Sequence, residues 1–143
     1  MLSIGTLSRK TGTKVQTIRY YEQIGLLPVP ERSRGGQRRY RDTDLDRLSF
    51  VRHARQLGFP LNDIRDLLAM TDHPQMSCES VDLIAQRQLK AVEQRLARLK
   101  VLHTELKRMI VQCSGKSVED CRILEVLGDH SECLTQHNDI GAK

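Results

Sequence analysis

The chain has 143 residues, of which 38% are hydrophobic and 3% aromatic, and it contains no tryptophan. A chain of this size and composition forms one modest domain or two small lobes, which excludes a large buried core. The net charge of +5 is unevenly placed, because residues 1–70 carry 13 Lys or Arg against 7 Asp or Glu, whereas residues 71–143 carry 10 against 11. A polyanionic partner for the first half is therefore predicted.

Two further function classes are excluded by what the sequence lacks. No apolar run approaches the roughly 18 residues of a membrane span, and no secretory signal pattern is present, so a cytosolic protein is predicted. No nucleophile with a plausible base and no phosphate-binding loop appears, so an enzyme is not expected. Four cysteines in such a chain favour metal or redox chemistry over a disulfide framework.

The first two predicted helices are short and are separated by a tight turn. Residues 4–12 form a helix that ends at Gly12, and Thr13 with Gln16 forms a capping box for a second helix that ends at Gly25. Many small helical bundles show this pattern, but it is also that of a helix-turn-helix. In that case the second helix offers these side chains to DNA: Lys14, Gln16, Thr17, Arg19 and Tyr20.

A basic hairpin is predicted next. Pro28 and Pro30 stop helix formation, and residues 31–40 (ERSRGGQRRY) place Gly35 and Gly36 at a turn. The clustered arginines repel one another unless an anion lies nearby, so a wing on the DNA backbone is favoured over a solvated basic loop. The arginines of this wing are Arg32, Arg34, Arg38, Arg39 and Arg41.

Two more helices complete the predicted DNA-binding domain, residues 1–70. Residues 42–57 form a third helix with Asp42 or Thr43 as its cap, and residues 61–70 form a fourth. Residues 71–77, which contain Pro74, are predicted to be a hinge.

A long dimerisation helix is predicted over residues 78–112. Its apolar positions alternate in steps of four and three, the repeat of a coiled-coil seam. Cys78 and Cys113 lie on this seam roughly 52 Å apart at 1.5 Å per residue, so one chain cannot join them. In an antiparallel dimer with its two-fold axis between Arg95 and Leu96, they lie opposite each other. The alternative is a plain dimerisation helix with ordinary buried cysteines. The seam consists of Ala85, Leu89, Val92, Leu96, Leu99, His103, Leu106 and Ile110.

The next cysteine, Cys121, follows Cys113 of the seam. Cys113 and Cys121 bracket a polar loop of seven residues, in which Gly115 lets the chain turn back so that both sulfurs can hold one ion. Residues 113–128 are thus predicted to be a metal-binding loop with a short covering helix, and residues 129–143 a flexible tail. The tail offers possible additional ligands, against the alternative of a frayed terminus: His130, Cys133 and His137.

The order of these elements resembles that of the MerR family of bacterial transcription regulators. The resemblance extends to about residue 128 and rests on TIRYYEQIGLLP at 17–28, on Arg38-Arg39-Tyr40 and on RHARQLGF at 52–59. It implies a mainly α fold with a winged helix-turn-helix head, a long antiparallel coiled-coil dimerisation helix and an effector-binding C-terminus. Gln37 departs from the aromatic residue common at its position. The resemblance implies DNA contacts by Arg19, Tyr20, Arg38 and Tyr40.

The same resemblance suggests the effector. In metal sensors of this family the positions matching Cys113 and Cys121 are ligands, and the position of Cys78 is Cys in sensors of divalent ions but Ser in those of copper(I). Three thiolates suit Zn, Cd, Pb or Hg. The seven-residue loop, however, is that of the copper sensors, so Cu(I) stays an alternative, as does a thiol-redox sensor.

The family resemblance also implies a mechanism. A homodimer would bind an operator within an overlong promoter spacer in both states. The metal-bound form would kink and untwist this DNA for RNA polymerase and so activate metal export or detoxification genes.

Overall fold

The computed structural model describes residues 1–112, 118 and 121–128. The predictions for Cys113 and for the tail residues His130, Cys133 and His137 therefore lie outside the described residues. The chain divides into two units, Met1–Ala85 and Gln86–Lys143. The described elements are α1 (Ile4–Thr11), α2 (Val15–Gln23), β1 (Glu31–Arg32), β2 (Arg38–Arg39), α3 (Asp42–Gln56), α4 (Leu61–Thr71), α5 (Glu79–Gln112) and α6 (Arg122–Gly128).

The first unit is built around one apolar core. Helix α1 packs against α2 and α3, and α3 packs against α4. The apolar positions that define each helix in the sequence meet at the centre, where burying each large side chain contributes about 1.5 to 3 kcal/mol. The buried members are Leu7, Ile18, Tyr21, Leu26, Leu27, Tyr40, Leu48, Val51, Ala54, Ile64 and Leu68.

The turn between α1 and α2 confirms one predicted boundary and corrects another. Gly12 ends α1 with φ 68°, a left-handed conformation that favours glycine. The predicted capping box of Thr13 and Gln16 is wrong, since α2 begins after Lys14 and no side chain caps it. Thr13 is buried, and its N–H donates a hydrogen bond to the Thr11 hydroxyl at 3.3 Å.

The wing forms as predicted. Strands β1 and β2 pair antiparallel, with Glu31 opposite Arg39 and Arg32 opposite Arg38. Gly36 at the tip has φ 80°, and its carbonyl accepts a hydrogen bond from Arg32 Nη1 at 2.8 Å. At the base of the wing, an isolated antiparallel bridge joins Tyr40 to Leu2. The wing is therefore attached to the start of the chain as well as to its neighbouring helices.

The third helix begins with a different cap from the one predicted. Arg41 is the N-cap residue of α3, so the choice of Asp42 or Thr43 was wrong. The Arg41 N–H donates a hydrogen bond to the Asp44 carboxylate at 2.9 Å, and the Asp44 N–H donates to the Arg41 carbonyl. Asp44 is buried, and its carboxylate accepts a hydrogen bond from the backbone at the start of the helix.

The long helix α5 has 34 residues. Every residue from 71 to 80, a stretch that leads into α5 and includes its first two residues, is exposed. Among the described residues, no helix is long and apolar enough to cross a membrane. The predicted mainly α architecture with a small wing is confirmed.

Candidate DNA interface and metal-binding region

Helix α2 presents a polar face to solvent and an apolar face to the core. Ile18 is fully buried and Tyr21 is 8% exposed, whereas Tyr20 is 48% exposed. Tyr21 therefore fills the core, and its neighbour Tyr20 faces solvent. The candidate DNA-contacting residues that are exposed on or beside this helix are Lys14, Gln16, Arg19 and Tyr20, and Thr17 is half-buried.

A carboxylate on α2 holds the wing in place. Arg38 Nε donates a hydrogen bond to Glu22 Oε2 at 3.2 Å, in an ion pair whose Glu22 side chain is only 10% exposed. The Tyr40 hydroxyl donates a short hydrogen bond to the other oxygen of Glu22. Burial of Tyr40, then its hydrogen bond to Glu22, raises the pKa of that hydroxyl above its usual value. The hydroxyl therefore stays a donor, and the wing is fixed relative to α2.

A groove of about 350 Å³ lies between α2 and the wing. Its lining mixes guanidinium groups with the apolar side chains of Val29 and Pro30, and one carboxylate, Glu22, faces the arginines. Such a surface presents more donors than acceptors, as a phosphate backbone requires. The cationic lining residues are Arg19, Arg32 and Arg38.

The predicted wing contacts occupy different environments. Arg32 is exposed, whereas Arg38 and Arg39 are half-buried. Tyr40 is 1% exposed, and its hydroxyl is engaged by Glu22. A direct contact from Tyr40 to DNA stays a prediction, since the structure places this residue in the core, where it supports the wing.

Three arginines of the first unit have partners that the sequence did not indicate. They donate to main-chain carbonyls near the ends of α1 and α2. The prediction of a polyanionic partner had included the positive charge of these arginines. The carbonyls lie 21 to 41 residues away in sequence, so no local spacing reveals the contact. The bonds join Arg47 to Leu26, Arg52 to Gly12 and Arg65 to Ile24.

The predicted seam of α5 is uncovered along its length in the single chain. All eight of its residues are exposed, including Leu96 at 61% and Ile110 at 63%. Other positions of the same helix are buried. Ile84 is 5% exposed, Met109 is 4% exposed and Glu105 is 2% exposed. The exposed seam is thus a distinct apolar surface and not a general property of an isolated helix.

Two of the predicted metal ligands lie within the described residues. Cys78 is an exposed thiol directly before α5, and Cys121 is a half-buried thiol directly before α6, with its N–H donating to the Val118 carbonyl at 3.2 Å. Thiolate sulfur is a suitable donor for soft metal ions. In the described parts of the chain, no group of three or more His, Cys, Asp or Glu side chains is placed to hold an ion. The thiol groups of Cys78 and Cys121 are of the donor type that suits a soft metal ion.

These features define a class of protein. A short helix pair with an exposed second helix, an arginine-rich wing fixed beside it and a long helix after it form a winged helix-turn-helix regulator. Sequence comparison agrees, because the profile described as MerR HTH family regulatory protein matches residues 2–71. A second profile, described as MerR, DNA binding, matches residues 45–109.

Known proteins match over nearly the whole chain. The chain is 40% identical over 130 residues to the HTH-type transcriptional regulator ZntR of Escherichia coli (strain K12), covering 89% of this chain and 92% of ZntR. It is 34% identical over 125 residues to the mercuric resistance operon regulatory protein of Bacillus cereus, covering 87% and 95% of the two chains.

Solved structures support the same conclusion. The regulator PbrR691 from Ralstonia metallidurans CH34, in complex with lead(II), matches with a TM-score of 0.73 and 36% identity, covering 89% of this chain and 99% of PbrR691. HiNmlR, a MerR family regulator lacking the sensor domain and bound to promoter DNA, matches with a TM-score of 0.59 and 28% identity, covering 77% and 83%.

This chain belongs to the MerR family of transcription regulators, and its relatives include metal-responsive regulators such as the mercuric resistance regulator and the lead(II)-bound PbrR691. It is accordingly a DNA-binding regulator and not an enzyme.

Proposed function

We propose that this protein is a cytoplasmic homodimer that activates a metal export or detoxification promoter when a soft divalent ion binds its cysteines. Zn, Cd, Pb and Hg are the candidate ions, and Cys78, Cys113 and Cys121 are the proposed ligands. The observation that carries the proposal is the exposed thiol of Cys78 directly before the long helix with the uncovered apolar seam. The similarity to PbrR691, which was solved with lead(II), supports a metal as the effector.

The exposed seam supports a second copy of the chain as the partner. Burying a Leu or Val side chain contributes about 1.5 to 3 kcal/mol, so a seam of this length left in water is a large unfavourable surface. Its heptad spacing matches the knobs-into-holes packing of another helix. An antiparallel arrangement follows from the cysteine positions, because it puts Cys78 of one chain near Cys113 of the other and creates two equivalent sites.

The proposed ligands suit a soft ion. Thiolate sulfur binds Zn, Cd, Pb and Hg strongly, and a bound ion would link the segment before α5 to the loop that precedes α6. His130, Cys133 and His137 are proposed as additional ligands, since zinc usually takes four. This chain would supply the thiolate ligands and the hinge segment that moves when the ion binds.

The exposed segment before α5 supports a hinge. Residues 71 to 77 are all exposed, so their backbone can adjust without disrupting the core of the first unit. We propose residues 1–70 as the DNA-binding domain, 78–112 as the dimerisation helix, 113–128 as the metal-binding loop with its helix and 129–143 as a flexible tail. A shift at the hinge would reorient the two DNA-binding domains of the dimer.

The energies involved are compatible with such a switch. Distorting promoter DNA over 20 to 30 base pairs costs about 1 to 6 kcal/mol. Moving an equilibrium from 1:99 to 99:1 needs an effector that binds the favoured state about 5.5 kcal/mol more tightly. Metal binding to thiolates supplies this difference easily. The distorted promoter would then be read by RNA polymerase.

The first test measures metal binding by the reduced protein without oxygen. Affinities of Zn(II), Cd(II), Pb(II), Hg(II) and Cu(I) are obtained by competition with chelators, comparing the unmodified protein with Cys78→Ser and Cys121→Ser. Cys133→Ser separately tests the tail thiol: weaker zinc binding adds Cys133 to the ligands, and unchanged binding leaves it outside the site. Tight divalent binding that collapses in Cys78→Ser and Cys121→Ser supports the proposal. Cu(I) binding that is unchanged by Cys78→Ser contradicts the divalent site and identifies a copper sensor, which the seven-residue loop also suits.

A second test separates DNA binding from response. Cys113→Ser and Cys121→Ser are expected to leave operator affinity nearly unchanged and to abolish induction by metal, measured by transcription in vitro. Loss of operator binding in these variants contradicts the switch. Induction by peroxide in metal-free buffer would instead show a thiol-redox regulator that uses Cys113 and Cys121 as a pair.

A further inference from the structure

Three arginines of α3 and α4 donate to carbonyls at or just beyond the ends of the two helices that form the helix-turn-helix. Arg65 Nη2 on α4 donates to the carbonyl of Ile24, the C-cap residue of α2, at 2.8 Å. From α3, Arg47 Nε donates to the carbonyl of Leu26 at 2.8 Å, and Arg52 Nη1 donates to that of Gly12. All three bonds lie within the first unit.

The physical basis of these bonds is the C-terminal end of a helix. The last carbonyls of a helix have no partner within the helix and carry a partial negative charge, which a cation stabilises. Arginine presents several N–H donors in a planar fork, so it can bind a carbonyl and remain charged. A lysine can reach the same oxygen with one donor but cannot reproduce the fork.

Gly12 gives the Arg52 guanidinium group room to approach. Gly12 has φ 68°, and a Cβ there would lie 3.1 Å from Arg52 Cζ, which is tighter than an ordinary contact. Gly25 has φ 77°, and a Cβ built on it would lie 3.6 Å from Arg65 Nη1, an ordinary van der Waals distance. Both glycines supply the left-handed turn, and Gly12 also leaves space for its arginine.

Arg65 lies on α4, whereas Arg47 and Arg52 lie on α3. Helix α4 ends at Thr71, directly before the exposed residues 72 to 77 and the start of α5. Its partner carbonyl, that of Ile24, terminates α2, the helix whose Arg19 and Tyr20 face solvent beside the wing. The hydrogen bond of Arg65 thus joins the helix next to the proposed hinge to the helix proposed to read DNA.

We propose that Arg65 is a positioning residue that fixes the end of α2 to α4, so that a movement at the hinge is transmitted to the DNA-reading helix. This inference rests on the proposed metal-dependent switch and adds the residue through which the switch reaches DNA. Without the bond, α2 keeps its own packing through Ile18 and Tyr21, so operator binding persists while the transmitted movement is lost.

The experiment compares Arg65→Gln and Arg65→Lys with two controls in the full-length protein. Arg47→Gln removes a similar bond made by α3, and Lys90→Gln removes one exposed positive charge from α5. Operator affinity is measured between 50 and 200 mM salt, and transcription in vitro is measured with and without Cd(II) or whichever ion the unmodified protein binds most tightly.

Arg65→Gln is expected to lower the induction ratio at least fivefold, with operator affinity within about threefold and an unchanged salt dependence. Arg65→Lys is expected to recover part of the ratio, and both controls to keep it. An unchanged ratio in Arg65→Gln, or an equal loss in Arg47→Gln, overturns the proposal. A decrease of about 0.9 in the salt slope shows instead that Arg65 binds a phosphate.

Failure of the proposed switch is distinguishable from failure of this inference. If the unmodified protein responds to no metal, the proposed function fails, and hydrogen exchange of the DNA-free protein still tests the bond. The amides of Gly25 and Leu26 are expected to exchange faster in Arg65→Gln than in Lys90→Gln. Equal exchange rates in the two variants overturn the role of Arg65 in holding this helix end.

Discussion

The hydroxyl of Tyr40, at the end of the wing, donates a hydrogen bond to the carboxylate of Glu22 on α2. The same carboxylate pairs with Arg38 at 3.2 Å, so one acidic side chain fixes two wing residues to the helix proposed to read DNA. The angle between wing and helix is therefore set by contacts inside the protein before DNA arrives, which lowers the entropy lost on binding.

Replacing Tyr40 by Phe is expected to lower the free energy of unfolding by about 1.5 to 3 kcal/mol, since a buried hydrogen bond to a charged group is lost. Tyr20→Phe is the matched control, because Tyr20 is 48% exposed, and its change is expected to be under about 0.5 kcal/mol. Urea denaturation followed by circular dichroism measures both. Equal small changes in the two variants would contradict the role of the Tyr40 hydroxyl.

The same hydrogen bond predicts a pH dependence. The pKa of Tyr40 is raised in the folded protein, chiefly by burial and then by Glu22, whereas in the unfolded chain it is near 10. The folded state therefore holds this proton more tightly. The stability it contributes is fully present below about pH 10 and is lost as the pH rises further. Unfolding measured from pH 8 to 11 should show a steeper alkaline decrease than in Tyr40→Phe, and parallel curves would contradict this.

Gly12→Ala is expected to destabilise the first unit by about 1 to 2 kcal/mol, because alanine at φ 68° is strained and its Cβ would crowd Arg52. Gly36→Ala is the control for strain alone, as Gly36 has φ 80° but no atom within 4 Å of an added Cβ. Thermal unfolding should therefore show a larger loss for Gly12→Ala. A larger loss for Gly36→Ala would show that crowding by Arg52 does not matter.

Leu96→Asp is expected to weaken the dimer and to leave the fold of each chain intact, since Leu96 is 61% exposed in the single chain. Each dimer loses two buried leucines and gains two carboxylates in the seam, a cost of at least about 3 kcal/mol. Val111→Asp is the control, because Val111 lies off the seam and is 81% exposed. Analytical ultracentrifugation should show monomers for Leu96→Asp alone, and dimers for both variants would exclude this seam.

Arg39→Gln is expected to weaken operator binding for every sequence and to lower the slope of log K against log salt by about 0.9, the value for one phosphate contact. Lys90→Gln, which removes a positive charge from α5 in the second unit, should leave the slope unaltered. Fluorescence anisotropy between 50 and 200 mM salt measures both slopes. An unaltered slope in Arg39→Gln would mean that this arginine does not touch the backbone.

The sequence by itself determined the element order and most helix boundaries. Gly12 and Gly25 end helices because only glycine adopts their conformation at low cost, and the alternation of four and three residues in α5 is a purely local pattern. Tyr20 was predicted among the side chains that α2 offers to DNA, and it is exposed in the structure. The predictions for Cys113 and for the tail ligands stay predictions, because these residues lie outside the described part of the chain.

Only the tertiary structure decided which charged side chains form hydrogen bonds within the protein and which remain available to contact DNA. Tyr40 and Glu22 are 18 residues apart, and Arg65 reaches a carbonyl 41 residues earlier in the chain. Composition counts every arginine as equally available, whereas the fold assigns Arg65 to the end of a helix. Such pairings depend on how helices pack, and packing is set by the whole core and not by spacing along the sequence.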